Sequence, residues 1–132
     1  MKYLLDTHTF LWTVSNSKNL SKKALEAIQN PLNDIYVSAV TFWEISIKTR
    51  IKRLDLDTLQ PEELISLAER MDFTMLSLTP EEAISYHELG EDTHHDPFDR
   101  MLIWQAISRD IGLISKDQEF KKFTPFGLKL LW

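Results

Sequence analysis

Asp6, Glu44, Asp99 and Asp117 are far apart in the chain yet occupy positions of one kind. Asp6 closes the apolar run Tyr3-Leu4-Leu5, and Glu44 lies on a helical pattern after the run Ile35–Ala39. Asp99 falls in the first turn after His94-His95-Asp96-Pro97, and Asp117 follows Gly112–Ser115. Four such acids brought together cannot all stay ionised unaided. Two unit charges ~4 Å apart repel by roughly 4 kcal/mol at an effective dielectric near 20, so a cluster must take up protons or bind a cation. Oxygen donors without thiolates select hard ions, Mg²⁺ or Mn²⁺, and Mg²⁺ held by one or two carboxylates completes its shell with water and substrate phosphate. The chemistry within reach is phosphodiester hydrolysis, by a metal-activated water with a second ion available to steady the leaving oxygen.

For the acids to meet, the intervening segments must place them at one edge of the fold. The runs Lys2–Asp6, Ile35–Ala39 and Gly112–Ser115 read as strands buried on both faces, with Phe73–Leu78 and Leu128–Trp132 as weaker candidates. Between them lie helices. Ser21 caps one that runs to Gln29 before Pro31; Pro61 opens another with Leu64, Leu67, Ala68 and Met71 on one face. Thr79-Pro80-Glu81-Glu82 is a capping box, and Asp96-Pro97-Phe98-Asp99 repeats its logic before Leu102, Ile103, Ala106 and Ile107. Strands alternating with helices predict a three-layer α/β/α sandwich around a mostly parallel sheet of four to five strands. In such sheets sites form beyond the carboxyl ends of the strands, where all four acids fall.

A chain of 132 residues, 43% hydrophobic and 27% charged, reads as one domain over residues 1–132 with a substantial core. The absence of cysteine removes disulfides, thiolate zinc sites and cysteine nucleophiles, and suits a cytoplasmic location. No stretch approaches the ~18 apolar residues of a membrane span, and Asp6 interrupts the first apolar run too early for a signal peptide. Three glycines cannot build a phosphate cradle or a nucleophile elbow. A net charge of −5 argues against a non-specific nucleic-acid binder.

Each acid also has a plainer reading. Asp6 could cap a helix beginning near His8, Asp96 reads as the cap before Pro97, and Asp117 could cap Gln118–Lys122. Asp99 is an ordinary acid for a first helical turn. Glu44 could pair with Lys48 one turn on, although Val40, Ile47 and Ile51 put it on an apolar stripe where an ionised group needs a cation.

These blocks together resemble a known family. Leu4-Leu5-Asp6-Thr7-His8, Trp43-Glu44-Ile45, His95-Asp96-Pro97-Phe98-Asp99-Arg100 with Leu102-Ile103-Trp104-Gln105-Ala106, and Ser115-Lys116-Asp117 are similar to the PIN domain of VapC-type toxins, over nearly the whole chain. The resemblance implies a Mg²⁺- or Mn²⁺-dependent endoribonuclease of a toxin–antitoxin module, homodimeric and silenced by a cognate antitoxin. It implies that Asp6 and Asp99 bind the metal directly, that Glu44 holds the metal or its water, and that Asp117 acts at the edge. The products would carry a 3′-hydroxyl and a 5′-phosphate. Asp96, one turn from Asp99, could share the ligation, and Trp104 stands where the family commonly has a small residue.

Among the remaining polar residues, Thr7 and Ser115 could contact a metal-bound water or a phosphate, or cap helices. Arg100 and Lys116 are placed to meet phosphate or to balance the acids. His8, His94 and His95 lack ligand spacing and read as solvated loop or cap residues. Lys48, Arg50, Lys52 and Arg53 complement a helix C-terminus or contact RNA, while the four tryptophans read chiefly as core or dimer contacts. Two other classes remain open: a catalytically silent PIN-like binding module, and a Mg²⁺-binding phosphoacceptor receiver domain with Lys116 as its late lysine.

Overall fold

The alternation of short apolar runs with amphipathic segments resolves, in a computed structural model describing residues 1–132, into five parallel strands. They are β1 (Lys2–Leu5), β2 (Asp34–Ser38), β3 (Thr74–Leu76), β4 (Gly112–Ile114) and β5 (Lys129–Leu131), in the spatial order β3-β2-β1-β4-β5. Tyr3 pairs with Ile35 on one side and Gly112 on the other. A side chain at Gly112 would meet the Tyr3 ring, its Cβ falling 2.6 Å from the nearest ring carbon, so glycine is required there. A receiver-type sheet runs 2-1-3-4-5, and the observed order sets that alternative aside.

Helices α1 (Thr7–Ser15), α2 (Lys22–Gln29), α3 (Ala39–Arg50), α4 (Glu63–Arg70), α5 (Pro80–Ser85) and α6 (Pro97–Ser108) cover the sheet, with 3₁₀ segments at Ser17–Asn19, Tyr86–Glu88 and Gln118–Phe126. Period-two alternation sends Leu5, Ile35, Val37 and Ile114 to one face, where Phe10, Ala24, Ile28, Leu64 and Ala68 pack on them. Leu4 and Leu113 go to the other, against Leu102, Ile103, Ala106, Phe120 and Phe123. The three layers follow from this. Helix α3 gives Ile45 to the first core and Val40 to the second, so it spans the layers, and Glu44 lies on it. No helix is long and apolar enough to cross a membrane.

Element boundaries differ from the sequence reading, by one residue at β1, β2 and β4 and by more at some other elements. Asp6 is not the last strand residue but the N-cap of α1, with extended backbone and a side chain that accepts from the Thr9 amide. The helix after Pro61 starts at Glu63, because Pro61 sits in a turn whose carbonyl accepts the Leu64 amide. The two weaker strand candidates shorten to three residues each at the sheet edges.

Candidate active site

The carboxyl ends of β1 and β4, neighbours in the sheet, fix the first acid. Asp6 Oδ1 accepts the Thr9 amide at 2.8 Å and Oδ2 accepts the Ser115 hydroxyl at 2.5 Å, so the side chain ties α1 to the end of β4. It is 5% exposed. Burial pushes its carboxyl above the usual range, against the hydrogen bonds from Ser115 and Thr9. Ser115 Oγ also accepts the amide of Asp117, whose own side chain caps the Gln118–Phe126 segment.

Glu44 reaches the same edge from α3 and is 2% exposed. Its Oε1 accepts the Thr7 hydroxyl at 2.6 Å, and its Oε2 is ion-paired with Lys48 one turn on. The stripe that predicted its burial is only partly buried, since Ile51 caps the end of α3 and is exposed; burial of Glu44 comes instead from packing of α3 on α1 and α6. Asp96 caps α6 by accepting the amides of Phe98 and Asp99 at 2.9 and 3.0 Å. Asp99, in the first turn of α6, has its carboxyl pushed up to about 6, by burial first and then by the charges of Asp96 and Glu44, with His94 opposing.

All five carboxylates, with Lys48 and Lys116, line one open cavity of about 320 Å³ beyond the strand ends. It lies where the strand order reverses around β1, the usual crevice of an open parallel sheet.

A model of the PIN domain matches residues 3–124 of the sequence. The chain belongs to the PIN domain family. The fold is similar to a chain of VapBC2 from Rickettsia felis bound to a DNA fragment from their promoter, with TM-score 0.66 and 16% identity, covering 99% of this chain and 98% of that one. It is similar also to a chain of VapBC-1 from nontypeable Haemophilus influenzae, with TM-score 0.63, 20% identity and coverage of 99% and 97%. For FitAcB from Neisseria gonorrhoeae the values are 0.58, 15%, 98% and 96%. At these identities the likeness carries the fold. No curated protein matches the sequence at a significant level.

In this PIN domain the side chains as placed offer no ready-made group of three acids or histidines for an ion. Each principal acid is engaged by a neighbour: Asp6 by Ser115, Glu44 by Lys48 and Asp99 by His94. The donor set nonetheless fits a hard divalent cation. It is all oxygen, it holds five carboxylates in one cavity, and two of these carboxyls are pushed up, Asp6 by burial and Asp99 by burial with the charges of Asp96 and Glu44, a cost that a bound cation would relieve. Lys48 must release Glu44 for that residue to join the set.

Of the expected secondary residues, Thr7 and Ser115 stand behind the cavity and orient Glu44 and Asp6, while Lys116 lies in its wall. Arg100 does not reach it. The expectation that it meets phosphate is corrected, because its guanidinium is buried under the loop before α6, donating to the carbonyls of Leu89, Glu91 and His94 and to the Tyr86 hydroxyl. A second correction concerns His94. Its side chain is only 13% exposed, packed edge-on against Phe120 and Phe123, with Nε2 3.0 Å from Asp99 Oδ2. The sequence reading missed it as a positioning residue, since a partner five residues away across a loop leaves no periodic signal. Lys48 had a signal, its i,i+4 spacing to Glu44, but that spacing alone reads as a surface contact.

Proposed function

We propose that this PIN domain is a divalent-metal-dependent endoribonuclease, the toxin of a toxin–antitoxin module, in which residues 1–132 act as one nuclease domain. The observation that carries the reading is the gathering of five carboxylates from four separate segments in one cavity, two of them with raised pKa. Crowded acids whose carboxyls are pushed above their usual range, gathered in a strand-end crevice, are what a functional cation site presents.

On this reading Asp6 and Asp99 hold the metal directly, Glu44 holds it or its water, Asp96 shares the ligation from one turn away, and Asp117 completes the set from the exposed rim. A divalent ion held there would supply Lewis acidity to the phosphate and lower the pKa of a water so that its hydroxide form is available as nucleophile near neutral pH. The chain's own part is positioning. Ser115 and the Thr9 amide fix both oxygens of Asp6, Thr7 fixes one oxygen of Glu44, and His94 fixes one of Asp99. Lys116 brings positive charge to a wall that would otherwise repel the substrate. Attack in line with the 3′ oxygen leaves a 3′-hydroxyl and a 5′-phosphate.

The solved neighbours are named as VapBC and FitAcB structures, which supports a cognate antitoxin as the controlling partner here. Homodimerisation belongs to the same reading, with Trp43, 59% exposed beside Phe98, as apolar surface free to take part. With RNA as substrate, the place of action is the cytoplasm.

One observation favours a silent binding module instead, namely that Lys48 already neutralises Glu44 as an ion would. Incubation of RNA with the protein in Mg²⁺ or in chelator separates the two. Cleavage only with metal, reduced at least ~100-fold in Asp6→Asn, is the expected result; intact RNA under both conditions, with folded protein, favours the module.

A further inference from the structure

Four of the 15 lysines and arginines fall within Lys48–Arg53, in a chain whose net charge is −5. By sequence they could complement the end of α3 or contact RNA. The turn's own hydrogen bonds bear on the choice. The Arg53 amide donates to the Lys48 carbonyl at 2.8 Å and the Lys52 amide to the Thr49 carbonyl at 3.2 Å, the paired bonds of a Schellman C-cap, so main-chain amides already serve the last turn. The side chains of Arg50, Lys52 and Arg53 are exposed, and none joins an ion pair. Lys52 stands at the position of this cap that favours glycine, with φ at 60°, left-handed backbone that costs any residue with a Cβ some stability. The backbone gains nothing from a lysine there; what the residue brings is its ammonium.

Asp55 and Asp57, which follow, line the apolar groove beside α1, and no lysine or arginine lines it with them. Lys48, at the inner end of the cluster, lines the acid cavity. The cations therefore run from the cavity wall to the exposed end of α3. A polyanion led toward five carboxylates needs positive charge along its approach, and a chain with a phosphate at every residue meets several such charges at once. An acidic protein segment would also want large apolar anchors, and this turn exposes only Ile51.

We propose that Arg50, Lys52 and Arg53 form an RNA-backbone site outside the acid cavity, holding phosphates that flank the one cleaved. The proposal rests on the nuclease reading and deepens it: contacts to phosphate alone add affinity for any sequence and make that affinity salt-dependent.

The test is binding of a fluorescent single-stranded decaribonucleotide in Mg²⁺, at several NaCl concentrations, by Asp6→Asn protein alone, with Lys52→Gly, and with Arg50→Gln, Lys52→Gly and Arg53→Gln together. Each lost phosphate contact makes the slope of log affinity against log salt shallower by about 0.7, so the triple variant is expected to lose about two from the slope and roughly tenfold or more in affinity at low salt, alike for oligomers of different sequence. Lys52→Gly alone is expected to weaken binding without lowering Tm, whereas a lysine needed by the turn would lower it. Unchanged affinity and slope in the folded variants, or no RNA binding by folded Asp6→Asn protein, overturns the proposal, as does an effect confined to association with a protein partner. The Lys52→Gly arm decides even where the triple variant fails to fold. Cleavage scores the nuclease reading separately. RNA cut in Mg²⁺ with the same KM and salt dependence when the three substitutions are made in otherwise wild-type protein sinks this proposal alone; RNA bound through these residues but left uncut by wild type sinks the nuclease reading and upholds the site.

Discussion

Asp99 reports the crowding of the cavity most directly. A carboxyl pushed up from 3.8 to about 6 binds a proton in the native protein that the unfolded chain has already released. Its contribution therefore favours the folded state fully below pH ~3.8 and is lost as pH rises through ~6. Two pH units correspond to almost 3 kcal/mol, and partial exposure brings this to the order of 2 kcal/mol. Metal-free wild-type protein should lose that stability between about pH 4 and 7, whereas Asp99→Asn should lose about 2 kcal/mol less across this window, keeping only the dependence of the other groups such as Asp6, and melt several degrees higher at pH 7. Thermal melts in chelator across that range check this; parallel curves for the two proteins contradict it. Lys48 predicts the opposite sign. Lys48→Met leaves the Glu44 carboxylate, 2% exposed, without its cation, and should cost about 3 kcal/mol in chelator. Because a divalent ion can take over that charge, Mg²⁺ should raise the melting temperature of Lys48→Met more than that of wild type. Equal shifts would show that Lys48 and the metal do not share Glu44.

The helices show why the plain and the chemical readings of the acids are compatible. Asp6, Asp96 and Asp117 each cap a helix or 3₁₀ segment and each line the cavity, so three N-termini deliver their acids and a partial positive charge to one place. The capping was legible, because Asp-Pro followed by an acid and an apolar stripe is a local pattern. The role of Arg100 was not legible. Its acceptors are carbonyl oxygens in the irregular stretch from Leu89 to His94, and main-chain carbonyls carry no residue-type signal. Arg100 fastens that loop to α6 and so holds His94 over Asp99. Arg100→Ala should destabilise the protein by about 2–3 kcal/mol, through buried carbonyls left without donors, and lower Tm by roughly 10 °C. An unchanged Tm with lost RNA cleavage would return Arg100 to phosphate contact.

At the scale of the whole molecule, alternation of strand and helix was enough to predict three layers and a parallel sheet, since the apolar runs before Leu128 are each followed by a segment with a helix-start signal. Strand order was not readable, because nothing local in Gly112–Ile114 says that it pairs with β1 on the side away from β2. That placement matters most for the site. With β1 between β2 and β4, Asp6 stands at the centre of the carboxyl edge, Glu44 arrives after one neighbouring strand and Asp117 after the other. Four acids could be picked out by type and position, and Lys48 as the partner of Glu44 by its spacing; the partners of Asp6 and Asp99, Ser115 and His94, depend on side-chain directions that only the packed fold sets. The central claim is that these acids from distant segments share one divalent ion. Calorimetric titration of Mg²⁺ into the wild-type protein at pH 7 tests it most directly, and a single saturable site, lost in both Asp6→Asn and Asp99→Asn while those variants remain folded, is the predicted result. No binding by folded wild-type protein at millimolar metal, or the same binding in both variants, would contradict it.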